Sequence, residues 1–211
     1  MRDLIDELFE YAESVSGPVP DYLREIERQT FLKTIAPQMM SGQLQGRLLS
    51  LLAKLVQPDR ALEIGTFTAY ATLCLAEGLA TDGVLHTIEG DAERAAIAKR
   101  HISKSPYHRQ IELHVGDARE ILPQLPYDFD LVFLDGDKIG YPDYYQLLIE
   151  RIRPGGLLIA DNVLWDGKTP KKATGRVAER LGAYNELLRA DPRVEVVVLP
   201  LRDGLSVARR R

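Results

Sequence analysis

From residue 60 onward, short apolar runs alternate with helix-length amphipathic stretches, and this alternation constrains the fold more than any other feature of the chain. A parallel strand needs a long crossover to return to the same end of a sheet, and an amphipathic helix supplies the crossover while covering one sheet face. The runs at 61–64, 84–88, 111–115, 131–134 and 157–160 read as five such strands. Helices are expected near 70–80, 91–103 and 141–153, with a longer one near 175–190. Two further runs, 194–198 and 205–208, flank Arg202-Asp203-Gly204, a hairpin signal that makes the last two strands antiparallel. The expected architecture is α/β and Rossmann-like: a seven-stranded, mostly parallel sheet with an antiparallel last strand and helices on both faces.

The chain before residue 57 reads differently. Leu4, Ile5, Leu8, Phe9, Ala12 and Val15 follow the spacing of one apolar helix face, which Gly17-Pro18-Val19-Pro20 ends. A second helix is expected from Asp21 and a third over 43–56, with a non-helical hinge at 37–42 between them. The 211 residues suit one domain, with 1–56 as a helical cover and 57–211 as the catalytic core. A formal charge of −4 gives no global pull toward nucleic acid or an anionic membrane. Acidic residues interrupt the N-terminus, and no run reaches the ~18 apolar residues of a membrane span. Cys74 stands alone, which excludes an intrachain disulfide and a cysteine zinc cluster. A reducing cytoplasm is the expected compartment.

In an open α/β sheet, ligands bind beyond the carboxyl ends of the strands, and here those ends are acidic: Glu63, Glu89, Asp117, Asp135 and Asp161. A nicotinamide-dependent dehydrogenase needs G-x-G-x-x-G after the first strand, and only Gly65 is present. The Walker A pattern is also missing. Acids at successive strand ends suit a cation that carries a ribose, such as S-adenosylmethionine. Glu89 would accept the sugar hydroxyls, Glu63 would face positive charge, and Asp117 with the Ala118 amide would meet an adenine. Each acid taken singly also reads as a surface carboxylate or helix cap.

Asp135, Asp161 and Asn162 offer hard oxygen donors without sulfur or imidazole, a set that favours Mg²⁺ over zinc. Asp161-Asn162 alone also reads as a turn cap. Lys138, three residues beyond Asp135, is a candidate base for a hydroxyl acidified by the cation, or else a salt-bridge partner of Asp137. His86, His101, His108 and His114 have no metal-ligand spacing and read as structural. The stretch from Trp165 to Gly175, with Lys168, Lys171 and Lys172, reads as a solvated loop or a substrate-contacting lid.

These residues together resemble the cation-dependent O-methyltransferase family that includes catechol and caffeoyl-CoA O-methyltransferases. The matching segments are Leu62-Glu63-Ile64-Gly65-Thr66-Phe67-Thr68, Phe133-Leu134-Asp135-Gly136-Asp137-Lys138 with Tyr141, Gly155-Gly156, 161–167 from Asp161-Asn162 through Trp165, and Asp203-Gly204-Leu205. The resemblance implies a class I methyltransferase fold and transfer of a methyl group from S-adenosylmethionine to a hydroxyl of a catechol-type molecule. It implies that Met40, Ser41, Glu63 and Gly65 line the methionine end of the cofactor, Glu89 the ribose, and Asp117 and Ala118 the adenine. Asp135, Asp161 and Asn162 would bind Mg²⁺, or Mn²⁺ or Ca²⁺ in its place. Lys138 would be the general base and Trp165 part of the substrate wall.

Two positions depart from the family pattern. Ala69 stands where glycine is usual, which is tolerable if its φ is negative, and Ala71 replaces a serine that contacts the cofactor carboxylate, at a cost of ~1 kcal/mol. Related alternatives are O-methylation of a hydroxylated uridine in tRNA and a non-catalytic cofactor-binding protein; the complete set of Asp135, Asp161, Asn162 and Lys138 disfavours the latter. The resemblance also implies a homodimer.

Overall fold

A parallel sheet buries both faces, so its strands send core residues to both sides. The computed structural model describes residues 2–125, 128–169, 171 and 175–211. Among these, seven strands, β1 (Arg60–Ile64), β2 (Val84–Glu89), β3 (Ile111–Val115), β4 (Phe129–Leu134), β5 (Ile152–Ala160), β6 (Val194–Leu199) and β7 (Leu205–Arg210), form one sheet in the order β3-β2-β1-β4-β5-β7-β6. Strands β1 to β5 pair in parallel, and β7 runs antiparallel between β5 and β6, as the sequence predicts. Along β4, Leu131 and Phe133 join one core cluster and Val132 and Leu134 the other. The strand order reverses between β1 and β4, which opens a crevice at their carboxyl ends.

One face is closed by α2 (Asp21–Lys33), α3 (Gly42–Val56), α4 (Tyr70–Ala76) and α5 (Ala92–Lys104), and the other by α6 (Ala118–Ile121), α7 (Tyr141–Leu148) and α8 (Arg176–Ala190). The first helix, α1 (Arg2–Val15), touches α3. Leu23, Ile26, Leu49 and Ala53 belong to the same core cluster as Leu85, Leu131 and Phe133, so the N-terminal helices form part of the layer that covers the sheet. No helix among the described residues is long and apolar enough to cross a membrane.

One carboxylate ties this layer together. Glu77, just after α4, accepts two hydrogen bonds from Arg47 (2.7 and 2.9 Å) and one each from Ser50 (2.6 Å), Lys54 (3.0 Å) and Tyr22 (2.9 Å). Burial opposes its ionised form, but the bonds from Arg47, Ser50 and Lys54 outweigh it and hold the carboxyl down at about 2.

Several boundaries differ from the sequence expectation. The helix expected to 153 ends at Leu148, followed by one 3₁₀ turn at Ile149–Arg151. Strand β5 already starts at Ile152, which pairs with Phe129 before a register shift that lets Pro154 and Gly155 (φ +86°) enter the sheet. The helix expected to residue 80 stops at Ala76, and Gly78 beyond it lies against the α3 backbone, where a Cβ would come 2.3 Å from Ala53 C. Part of the hinge at 37–42 is a 3₁₀ turn, Pro37–Met39, and α3 begins at Gly42. Helix α6 was not expected; Asp117 caps it by accepting from the Arg119 amide at 2.8 Å. Ala69 has φ +69°, not the negative value its substitution for glycine calls for, a conformation that costs an L residue ~1–2 kcal/mol. Pro170 and Lys172 of the basic loop lie outside the described residues.

Glu77→Ala leaves Arg47, whose side chain is 12% exposed, without its partner, and should destabilise the protein by about 3 kcal/mol in urea denaturation at neutral pH. Because the folded-state carboxyl lies below its ordinary value of 4.5, its contribution is complete above that pH and disappears as pH falls toward about 2. The stability gap between wild type and Glu77→Gln should therefore close over that acidic window.

Candidate active site

Beyond the strand ends lies a cleft of about 810 Å³ whose walls include Gly65, Glu89, Asp117, Ala118, Asp135, Lys138, Asp161, Asn162 and Trp165. Its floor is the closest approach of two strand ends. Gly65 has φ +102°, and a Cβ on it would sit 2.5 Å from the Asp135 carbonyl oxygen, so only glycine fits there. The Gly65 amide donates to Ile88 O at 2.9 Å and the Asp135 amide to Ile64 O at 2.8 Å, which aligns the ends of β1, β2 and β4.

On one side of the floor, the Glu89 carboxylate accepts from the Phe67 amide at 2.8 Å and the Asp91 amide at 3.0 Å. Both its oxygens are thereby oriented at the end of β2. The Arg94 guanidinium lies 5.8 Å from the centre of the Phe67 ring. At the end of β3, hydrogen bonds from the Arg119 side chain and amide hold the Asp117 carboxyl down at about 2.

Four of the expected cofactor residues stand behind this wall. Glu63 is fully buried on the α4 face of the sheet, where its Oε2 accepts from Thr72 (2.5 Å) and Thr87 (2.6 Å). Burial pushes its carboxyl up to about 8 against those two bonds, and among the described residues its Oε1 has no partner. Ala71 is buried in the first turn of α4. Met40 and Ser41 are buried too, and their carbonyls accept from the Arg202 guanidinium, whose other arm donates to Gln38 O at 3.2 Å. Gln38 and Met39 face the cleft in their place.

The other side gathers the proposed cation ligands. Asp161 is 4% exposed; its Oδ2 accepts from Gln45 Nε2 at 2.8 Å and its Oδ1 from the Asn162 amide at 2.7 Å. The buried Tyr141 hydroxyl spans the ends of β4 and β5, at 3.0 Å from Leu134 O and 3.1 Å from Asp161 O. Asn162 adopts φ +61°, and its Nδ2 donates to Asp203 Oδ2 at 3.4 Å. Asp203 also accepts from the Asp166 amide, so the turn before β7 holds the loop that carries Trp165.

Asp135 is neighboured by Asp161 and by Lys138. Burial pushes its carboxyl up, the Lys138 ammonium pulls it down and Asp161 pushes it up again, leaving it at about 6. Lys138 Nζ lies 2.5 Å from Asp135 Oδ1, so its ion-pair partner is Asp135 and not Asp137, the alternative partner, which instead caps the following turn through the Ile139 amide.

Gln45, Arg202 and Asp203 escaped the reading of the sequence as site residues. Gln45 carries no local signal, being one polar residue on an amphipathic helix. Asp203-Gly204 reads as a hairpin turn, which it is, but the Asp203 carboxylate serves a different loop. Two histidines are structural as expected, with His101 Nδ1 2.8 Å from Thr68 O and His108 Nδ1 3.1 Å from Ser105 O. His86 and His114 are not separated as their spacing suggests: strand pairing brings His86 Nδ1 within 3.2 Å of His114 Nε2.

The O-methyltransferase family pattern matches residues 13–211. The chain belongs to the S-adenosylmethionine-dependent O-methyltransferases. It is 36% identical over 174 residues to a catechol O-methyltransferase of Niastella koreensis, a match covering 78% of this chain and 79% of that protein. It is 31% identical to caffeoyl-CoA O-methyltransferase 2 of Populus trichocarpa, with 97% and 89% covered. The O-methyltransferase TomG of Streptomyces achromogenes, solved in complex with S-adenosylmethionine, superposes with a TM-score of 0.89 at 29% identity over 97% of this chain and 96% of its own. The S-adenosylhomocysteine-bound methyltransferase PaMTH1 of Podospora anserina gives 0.91 at 28%, covering 99% and 96%. This methyltransferase therefore has the class I fold and uses S-adenosylmethionine.

Gly65→Ala in the methyltransferase forces a Cβ onto the Asp135 peptide at an unfavourable φ. It should weaken S-adenosylhomocysteine binding at least about tenfold, a loss of ~1.4 kcal/mol or more in calorimetry. Unchanged affinity would show that this close approach does not shape the cofactor cleft.

Proposed function

We propose that this methyltransferase methylates one hydroxyl of a vicinal diphenol, a catechol-type small molecule, and that it needs a divalent cation to do so. The observation that carries the reading is the convergence of Asp135, Asp161 and Asn162 beside Lys138, in the cleft that also contains Glu89 and Asp117. Two carboxylates and an amide oxygen fit a hard cation, Mg²⁺ first and Mn²⁺ or Ca²⁺ by the same donor chemistry. A cation bound there supplies positive charge that acidifies and orients two neighbouring oxygens of the acceptor.

The chain's own groups have distinct tasks in this account. Gln45 and the Asn162 amide hold the Asp161 carboxylate in one orientation. Lys138 is placed against Asp135, and its neutral amine, the ammonium proton having passed to solvent, takes the proton from the acceptor hydroxyl as general base. Trp165, half-buried with φ +47°, forms a wall that keeps a flat aromatic acceptor in a near-attack position. Glu89 binds the ribose hydroxyls, Asp117 and Ala118 meet the adenine, and Gly65 leaves room for the methionine end. Met40 and Ser41 support that end by fixing Arg202 and the segment at Gln38–Met39, with Glu63 and Ala71 behind it. The similarity to catechol and caffeoyl-CoA O-methyltransferases supports a phenolic acceptor.

The tRNA reading rests on the basic loop, where Lys168 lies 3.4 Å from Asp166. A homodimer is also proposed, supported by the exposed apolar side chains Leu8, Tyr11, Phe31, Leu32, Leu51 and Leu55 on the N-terminal helices.

Asp161→Ala should lower Mg²⁺-dependent methylation of a vicinal diphenol by at least roughly 100-fold while leaving S-adenosylhomocysteine affinity within a few-fold of wild type. Wild-type turnover by the variant, or full activity of the native enzyme in excess EDTA, would refute the cation-dependent reading.

A further inference from the structure

On the face of the sheet opposite Glu63, the edge strand β3 and its neighbour β2 bring together His86, Glu112 and His114. His86 pairs with Glu112 and Ile88 with His114 in the parallel register, so the three side chains rise from one face. His86 Nδ1 lies 3.2 Å from His114 Nε2 and 3.3 Å from Glu112 Oε2, and one ligand atom from each residue falls within 4.8 Å of the others.

Tetrahedral zinc, bound at about 2.0–2.1 Å, separates adjacent ligand atoms by about 3.3 Å. Both close pairs therefore already have the length of an edge of such a site. Hydrogen bonding satisfies the cluster less well, because His86 Nδ1 carries at most one proton for two neighbours. A cation accepts a lone pair from each of the three residues at once. The environment also suits one: the His86 side chain is 8% exposed and set edge-on to Phe129, 6.4 Å between ring centres, whereas the Glu112 side chain is 58% exposed and gives an ion access from solvent.

We propose that His86, Glu112 and His114 form a second metal site, separate from the strand-end cleft, that takes one transition ion of the zinc class and staples the edge strand β3 to β2. Its two imidazoles select against Mg²⁺, which favours oxygen donors, so the two sites divide cations by ligand chemistry. The ion closes the sheet at the edge where β3 has a neighbour on one side only.

The test is a Zn²⁺ titration of the chelator-stripped full chain in millimolar Mg²⁺, read by calorimetry and thermal melting. Wild type and Asp161→Ala should each bind one equivalent at this site and melt at a higher temperature with Zn²⁺ than without it. His114→Ala and Glu112→Gln should each bind that equivalent at least about tenfold more weakly and lose the thermal shift, with S-adenosylhomocysteine affinity preserved. The proposal is overturned if wild type binds no zinc, if the zinc-linked shift disappears in Asp161→Ala, or if Glu112→Gln and His114→Ala both retain wild-type zinc affinity. Glu112→Gln, at an exposed position, keeps the test decisive if His114→Ala does not fold.

Discussion

The carboxylates of Asp135 and Asp161 end neighbouring strands in a place with little access to water, and their mutual repulsion sets the electrostatics of the cleft. A fold that buries two acids side by side must compensate them or pay in stability. Here the compensation is arranged in layers. Lys138 places an ammonium on Asp135, Gln45 and a backbone amide donate to Asp161, and the Tyr141 hydroxyl bridges the two strand-end carbonyls. None of these groups neutralises both charges, which is the condition in which a divalent cation adds most.

Compensation at this point ties distant parts of the chain to the site. Gln45 lies on α3, so an N-terminal helix takes part in orienting an acid at the end of β5. That helix is in turn held by Glu77, whose five hydrogen bonds join α2, α3 and the end of α4. On the opposite rim, Arg202 grips three carbonyls, at Gln38, Met40 and Ser41, and Asp203 holds the Trp165 loop. The turn before β7 thus positions both the Gln38–Met39 rim of the cleft and the Trp165 loop.

Much of this was legible in the sequence where chemistry is local. The first four strands are apolar runs between turn residues, and the acids at their ends are fixed once the strands are placed. The start of β5 was hidden, because a helix was expected to run to residue 153 and the Pro154-Gly155-Gly156 segment enters the sheet only through a register shift. Gln45 was hidden for another reason: its partner is 116 residues away, and nothing in an amphipathic helix marks one glutamine as special. His86 and His114 looked unrelated because strand pairing, not sequence spacing, makes them neighbours. Ala69 shows the limit of conformational rules, since an alanine occupies a positive-φ position between the end of β1 and α4, and the hydrogen bonds from its amide to Thr66 O and from Leu73 N to its carbonyl hold it there.

The central claim is that the strand-end acids form a cation site next to the cofactor. Anomalous diffraction from crystals grown with Mn²⁺, S-adenosylhomocysteine and a vicinal diphenol tests it most directly. The account predicts a manganese peak bonded to oxygens of Asp135, Asp161 and Asn162, with the two diphenol oxygens completing its shell and Lys138 beside one of them. A cleft holding cofactor and diphenol with no manganese between these three residues would contradict it.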